Sequence, residues 1–151
     1  MTDIVSRKKR SEMMSGIRGK DTKPELLIRH ALFARGYRYR IHTKGIPGKP
    51  DLTLRRYKAA IFIHGCFWHM HNCNLFKWPS SRPEFWRNKL TGNAQRDLGN
   101  IDALHKAGWR TCIVWECAIK GKSRLPLDAV IDKLDLWLKG GDHSLEVRGN
   151  S

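Results

Sequence analysis

The sequence predicts an α/β fold in which a mixed β-sheet is flanked by helices. Two short apolar runs, residues 59–63 and residues 111–115, have the composition of buried strands. Around them lie segments with helical capping signals or helical spacing. The predicted order is therefore helix, three strands, one or two helices, strand and helix, an order that favours one sheet with helices packed on it.

The first helix is predicted to begin at a capping box. Thr22 and Glu25 have the required spacing, and a proline stands between them in the first turn. Apolar residues then recur at helical spacing until Gly36, which supplies a stop. Residues 37–41 alternate as in a strand, and the Gly- and Pro-rich residues 45–50 indicate a loop.

Two further runs, residues 51–55 and 59–64, are predicted to pair as a hairpin. The expected register places Asp51 opposite Ile63, beside His64. Two polar groups that are separated in sequence would then meet at one edge of the sheet.

The second half of the chain predicts helices and one central strand. A capping box at residues 81–84 opens a helix, and a longer helical stretch is expected from 93 to 107, before Gly108. The strand at 111–115 follows, and apolar residues from 127 to 138 recur every three or four positions, as in an amphipathic helix.

The predicted domain covers residues 21–139, between a basic arm (1–20) and a polar tail (140–151). The arm is either a DNA-contacting element or a frayed terminus.

Charge is the strongest bulk signal. The 151 residues include 29 Lys and Arg against 14 Asp and Glu, a net charge of +15. This excess favours nucleic acid as the partner, ahead of a structural basic protein or an anionic membrane surface.

No apolar run approaches the length of a membrane span and no secretory signal is visible, so we expect a cytoplasmic protein without a membrane role. Its cysteines are then thiols or metal ligands rather than disulfides.

The segment 64–73, His-Gly-Cys-Phe-Trp-His-Met-His-Asn-Cys, is dense in metal-binding side chains. Cys66, His71 and Cys73, with Cys117 downstream, can supply the thiolate and imidazole ligands of a tetrahedral zinc site. Because four protein ligands leave no place for water, such a site would be structural. The alternative is inert thiols, as expected for the apolar-flanked Cys112.

Catalytic side chains are also available near this segment. Asp51 is the only carboxylate between Glu25 and Glu84, and carboxylates bind Mg²⁺. Either His64 or His69 can activate water. Three of the polar residues also have structural interpretations without catalysis. Asp51 can be a turn residue, Glu25 a helix cap and His64 a satisfied histidine at the end of a strand.

Phe67 and Trp68 lie between the expected zinc ligands, where packing both rings into a core is difficult. Aromatic side chains near a DNA cleavage site can wedge between base pairs. We therefore favour a wedge role for these two residues. For Trp86, on a predicted helix, a wedge role and a core role remain open.

The chain resembles the very-short-patch-repair (Vsr-type) mismatch endonucleases from about residue 10 to residue 138. The most specific matches are the HGCFWH block and the WEC motif near Cys117. The matching segments are residues 47–51, 62–69, 71–73, 76–77, 84–86, 108–110 and 114–117.

This resemblance implies a restriction-endonuclease-like fold with a structural zinc site. It implies a Mg²⁺-dependent nick in one strand, 5′ of the thymine of a T·G mismatch left by 5-methylcytosine deamination, which starts very short patch repair. The expected partner is duplex DNA with that mismatch, and mismatch-repair proteins are possible further partners. A monomer at the bacterial nucleoid is expected.

The resemblance also implies residue roles. Asp51 and the backbone carbonyl of Ile63 would hold Mg²⁺, His69 would activate water, and His64 and Glu25 would support the metal and the phosphate. The zinc ligands would be Cys66, His71, Cys73 and Cys117. The DNA contacts would be the wedge residues Phe67, Trp68 and Trp86, together with Met14 in the minor groove, Lys89 and Asn93.

Some positions depart from the family pattern. Ile63 stands where a threonine can occur, which a main-chain ligand tolerates, and Met70 replaces a histidine seen in some relatives. His64 replaces the second acidic residue of the wider nuclease superfamily. Two other interpretations remain: a non-catalytic zinc module that recognises distorted DNA, and a structure-selective nuclease without T·G specificity.

Overall fold

One mixed sheet forms the centre of the molecule. The computed structural model describes residues 21–150, so the predicted arm and Met14 lie outside the described residues. The strands lie in the order β1-β2-β3-β4-β5; β1 to β3 are antiparallel neighbours, whereas β3, β4 and β5 are parallel. The elements, in chain order, are α1 (Lys23–Ala34), β1 (Arg40–Ile41), β2 (Leu52–Leu54), β3 (Ala59–His64), α2 (Pro83–Lys106), β4 (Arg110–Trp115), α3 (Leu127–Lys139) and β5 (Ser144–Val147). The predicted α/β class, with helices on a mixed sheet, is confirmed.

Helices cover both faces of the sheet. Because strand residues alternate between faces, Ile61 packs in the core with α1 and α3, whereas Phe62 packs with Leu104 of α2. His64 shares the face of Phe62, with 5.4 Å between their ring centroids. Strand β3 therefore delivers His64 to the side of the sheet that α2 covers.

The hairpin forms, but the predicted register is wrong by one residue. Leu52 pairs with Ile61, so Asp51 lies one residue before the start of β2. A 3₁₀ turn, Arg55–Tyr57, and a left-handed Lys58 (φ +52°) make the connection and set this register. The carboxylate of Asp51 still reaches strand β3, because the backbone N–H of Ile63 donates to Asp51 Oδ2 at 2.7 Å.

The loop before Asp51 is packed against α2. Gly48 has φ +76°, and a Cβ there would lie 2.9 Å from Cβ of Asn100. Only glycine fits both the conformation and the space. The predicted loop at 45–50 is thus an element that positions Asp51 relative to α2.

Helix boundaries differ from the prediction in one place. The α1 cap is confirmed, since Thr22 Oγ1 accepts from the backbone N–H of Glu25 at 3.4 Å. Ser81 does not cap α2: Arg82 (φ +53°) is the N-cap, without a side-chain hydrogen bond, and a single helix of 24 residues replaces the two expected segments. Gly92 does not interrupt it, because the completely buried Leu90 and Leu104 anchor both parts of the helix to the protein interior.

The predicted polar tail is wrong, because residues Ser144–Val147 form strand β5 beside β4. Val147 is buried and Glu146 is exposed, an alternation too short to stand out in a polar segment.

The expected strand at 37–41 is reduced to Arg40–Ile41. Across residues 21–150, no helix combines the length and apolar character that crossing a bilayer requires.

Candidate active site and metal centre

Asp51 is a desolvated carboxylate with a backbone hydrogen bond. Desolvation raises the pKa of its carboxyl group to about 7, the Ile63 N–H bond opposes this, and the carboxylate of Glu25 raises the pKa further. Two carboxylates with little access to water repel each other unless a proton or a cation lies between them. The carboxylate oxygens of Asp51 are the kind of ligand that a hard divalent cation prefers.

Glu25 is held by groups that the sequence did not suggest. Its buried carboxylate pairs with Arg29, one turn along α1, and with Nε2 of His42 at 2.8 Å. Arg29 also contacts Asp21 at 2.5 Å. The capping interpretation of Glu25 is thus insufficient, since only its backbone N–H takes part in the cap. The Glu25–Arg29 spacing of four could have been detected, but nothing in the sequence indicated His42.

Two histidines stack at the end of β3. The rings of His64 and His69 are 3.7 Å apart between centroids and nearly parallel. Burial and the neighbouring His69 lower the pKa of His64 well below its usual value, so His64 is neutral. Within residues 21–150, buried Nδ1 of His64 has no hydrogen-bond partner.

His69 has a carboxylate behind its ring. Its Nδ1 lies 2.5 Å from Oδ2 of Asp97, on α2. When Nδ1 carries the proton and donates to Asp97, Nε2 is left as the free base. The sequence analysis missed Asp97, because 28 residues separate it from His69 and only the packing of α2 on the sheet joins them.

The four expected cysteine and histidine ligands converge. The ligand atoms of Cys66, His71, Cys73 and Cys117 all lie within 4.8 Å of one another, a group that can hold a metal ion. His71 Nδ1 is 3.6 Å from Cys66 Sγ and 3.7 Å from Cys117 Sγ. A tetrahedral zinc with bonds of about 2.3 Å to sulfur and about 2.0–2.1 Å to nitrogen puts such atoms about 3.6 Å apart. The set therefore fits zinc.

Backbone N–H groups surround the sulfurs of this cluster. The N–H of Cys117 donates to Cys66 Sγ, and that of Gly149 to Cys117 Sγ, both at 3.3 Å. A Cβ at Gly149 would lie 2.3 Å from the Cys117 carbonyl oxygen, so only glycine allows this approach. The segment after β5, predicted as a tail, thus packs against the cysteine–histidine cluster. Cys112 is completely buried in the core, as predicted.

Phe67, Trp68 and Trp86 form one aromatic cluster. Their ring centroids are 5.2 to 5.9 Å apart, and all three side chains are only half-buried. Trp86 lies outside the described hydrophobic cores, which favours the wedge interpretation over core packing. Asn93 donates through its side-chain amide to the Trp68 carbonyl oxygen at 3.1 Å, and Lys89 is exposed on the same helix.

Comparison with known proteins agrees with the resemblance seen in the motifs. The family model described as DNA mismatch endonuclease Vsr matches residues 2–75. The DNA mismatch endonuclease Vsr of Escherichia coli (strain K12) is 39% identical over 147 residues, covering 97% of this chain and 94% of the relative.

Two nicking enzymes are similar as well. Type II nicking enzyme V.NmeAIP of Neisseria meningitidis is 48% identical over 123 residues, covering 82% of this chain and 88% of the relative. Type II nicking enzyme V.XorIIP of Xanthomonas oryzae pv. oryzae is 40% identical over 119 residues, covering 79% and 88%. With similarity of this extent and the HGCFWH and WEC motifs in place, the chain belongs to the Vsr family of DNA mismatch endonucleases.

Proposed function

We propose that this protein is a Mg²⁺-dependent endonuclease that nicks one DNA strand 5′ of the thymine of a T·G mismatch and so starts very short patch repair. The observation that carries the proposal is the position of Asp51, bonded to the main chain of Ile63 one residue before the stacked His64–His69 pair. Membership of the Vsr family supports the mismatch substrate. The mixed sheet, in this proposal, is a restriction-endonuclease-like core.

Asp51 and the backbone carbonyl of Ile63 would hold the magnesium ion, and Glu25 would support the metal and the phosphate. When bound, Mg²⁺ polarises the scissile phosphoryl group and offsets charge on the leaving oxygen. His69 Nε2 accepts the proton of the attacking water, and Asp97, hydrogen-bonded to Nδ1, stabilises the imidazolium that forms. Neutral His64 stacks on His69 and restricts its rotation.

The Cys66–His71–Cys73–Cys117 group would hold a structural Zn²⁺. Four protein ligands leave no position for water, so the ion would stabilise geometry rather than catalyse. It would tie the loop after β3 to the end of β4. Phe67 and Trp68 lie inside that loop, so the same ion would position the wedge.

DNA recognition is proposed to combine the wedge with a basic surface. Phe67, Trp68 and Trp86 would unstack the base pairs beside the mismatch. The net charge of +15 supports binding to the phosphate backbone. The protein is further proposed to act as a monomer at the nucleoid. The remaining proposed contacts are Met14 of the arm (residues 1–20), Lys89 and Asn93.

A nicking assay on matched T·G and T·A duplexes, with and without Mg²⁺, tests the proposal. We expect one nick, only in the T·G duplex and only with Mg²⁺. Asp51→Ala should abolish nicking while DNA binding persists, and Asp142→Ala, an exposed loop carboxylate, is the matched control. Equal cutting of both duplexes would contradict the mismatch proposal. Binding without product in any divalent metal would favour the non-catalytic module.

A further inference from the structure

Two exposed aromatic side chains have no role in the function proposed above. Trp78 is 46% exposed and Phe85 is 42% exposed. An arginine lies over each ring, with Arg87 5.4 Å from the Trp78 centroid and Arg82 4.2 Å from that of Phe85. We call these four residues the aromatic–arginine shelf. Exposed large aromatic side chains are typical of a contact surface.

The shelf is continuous with the wedge cluster. The Phe76 ring centroid lies 6.1 Å from that of Phe67 and 5.0 Å from that of Trp78. The Phe67 and Trp78 centroids are therefore at most about 11 Å apart. Phe85 likewise contacts Trp86, at 5.2 Å between centroids. Both exposed rings therefore adjoin the cluster that is proposed to hold the duplex.

The charge of this region suits a polyanion. Residues 77–89 contain four basic side chains and one acidic residue, Glu84, and all five are exposed. Within residues 21–150, none of the four cations forms an ion pair with a carboxylate. A protein partner of opposite charge would also fit, but continuity with the wedge favours the DNA that the wedge would hold. The four cations are Lys77, Arg82, Arg87 and Lys89.

We propose, on the basis of the function proposed above, that the shelf grips the sugar–phosphate backbone of the duplex on one side of the mismatch. Duplex DNA rises about 3.4 Å per base pair, so the shelf reaches the backbone within about three base pairs of the wedge. Arg82 and Arg87 bind phosphates, and the rings beneath them pack on deoxyribose while holding each guanidinium flat. The contact is to the backbone, so it adds affinity and salt dependence without reading bases.

Binding to T·G duplexes trimmed one base pair at a time from either end tests this surface. Wild-type protein should lose at least fivefold in affinity when one particular flank falls below about three base pairs. Trp78→Ala combined with Arg87→Gln should show that loss on a long duplex and no further loss on trimming. Arg87→Gln alone should reduce the slope of log affinity against log salt by about 1.

The chain contains a matched control near the C-terminal end of α1. Arg38 lies 4.0 Å over the ring of Phe33, which is 54% exposed near the end of α1. Phe33→Ala combined with Arg38→Gln removes the same kinds of groups and should leave affinity, salt slope and flank dependence unchanged. Unchanged metal content and unfolding temperature in both double variants would show that the fold is intact.

The outcomes separate this inference from the proposed function. If wild-type protein nicks T·G duplexes but the Trp78/Arg87 variant matches it at every flank length, the shelf is overturned and the nicking function stands. If wild-type protein does not distinguish T·G from T·A, yet the variant alone removes the flank dependence, the shelf stands as a DNA contact and the mismatch function fails. Equal losses in both double variants would overturn the shelf.

Discussion

The cysteine–histidine cluster and the acidic site lie at the same end of strand β3, but they are assembled differently. Three ligands of the cluster fall within residues 66–73, and Cys117 follows directly after β4, the parallel neighbour of β3. The carboxylates of the acidic site instead come from three elements: Glu25 lies on α1, Asp51 precedes β2, and Asp97 lies on α2 beside His69. Local spacing can build a metal loop, whereas a network of carboxylates depends on which helices pack together.

The buried cysteines and the candidate base also differ in access to solvent. Cys66 and Cys117 are at most 1% exposed, as expected for a closed structural site. The side chains of His69 and Asp97 remain 26% and 23% exposed, so a substrate can reach the base. Damage to the buried cysteines should therefore disturb the fold, whereas a change at His69 or Asp97 should disturb only the chemistry.

Removing one cysteine ligand is expected to have the largest effect. Cys117→Ser should eliminate bound zinc, lower the free energy of unfolding by several kcal/mol and, through the displaced loop, weaken DNA binding. Metal analysis and denaturant unfolding measure the first two effects, and a DNA-binding assay measures the third. Cys112→Ala is the control: it should cost about 1–2 kcal/mol as a small core truncation and keep the metal. Full zinc content in Cys117→Ser would contradict the assignment of Cys117 as a zinc ligand.

Changing the carboxylate behind His69 should affect the chemistry alone. Asp97→Asn is expected to slow single-turnover nicking by about 10²–10⁴-fold, because the imidazolium loses its stabilising charge. DNA affinity, zinc content and stability should stay as in the wild type. Asp102→Asn, an exposed change on the same helix, should nick normally. A loss of stability or of zinc in Asp97→Asn would mean that the two regions are not separate.

A third position, remote from both sites, should give the smallest effect. Tyr37 donates to Asp135, and this hydrogen bond is the main cause that lowers the pKa of Asp135. Tyr37→Phe should cost about 1 kcal/mol of stability at neutral pH, with nicking and zinc content unchanged.

The pH dependence of that cost has a definite sign. A carboxyl group whose pKa is lower in the folded state stabilises the fold above its unfolded pKa and loses the contribution as pH falls through the folded value. The difference between wild type and Tyr37→Phe should therefore be constant at neutral pH and shrink below the ordinary Asp pKa of 3.8. Unfolding curves measured at several acidic pH values check this, and a difference that grows on acidification would contradict it.

The predictable parts of the molecule are those whose signals are local. The capping of α1 by Thr22, the buried strands β3 and β4 and the amphipathic α3 follow from residue order and spacing. The short strand β5 and the single long helix α2 were missed, because tertiary contacts decide both. Leu90 and Leu104 hold α2 together despite Gly92, and pairing with β4 makes a strand of Ser144–Val147.

The sequence by itself determined the chemistry available at the site: Asp51 as the only carboxylate between Glu25 and Glu84, the histidine- and cysteine-rich segment and the strongly basic charge. Only the tertiary structure decided which groups touch. It joined His69 to Asp97 and Glu25 to His42, and it placed the Gly149 N–H against the sulfur of Cys117. The physical reason is that hydrogen bonds and carboxylate pairing act over a few ångströms, and distances of that kind between remote residues are set by helix packing on the sheet rather than by spacing along the chain.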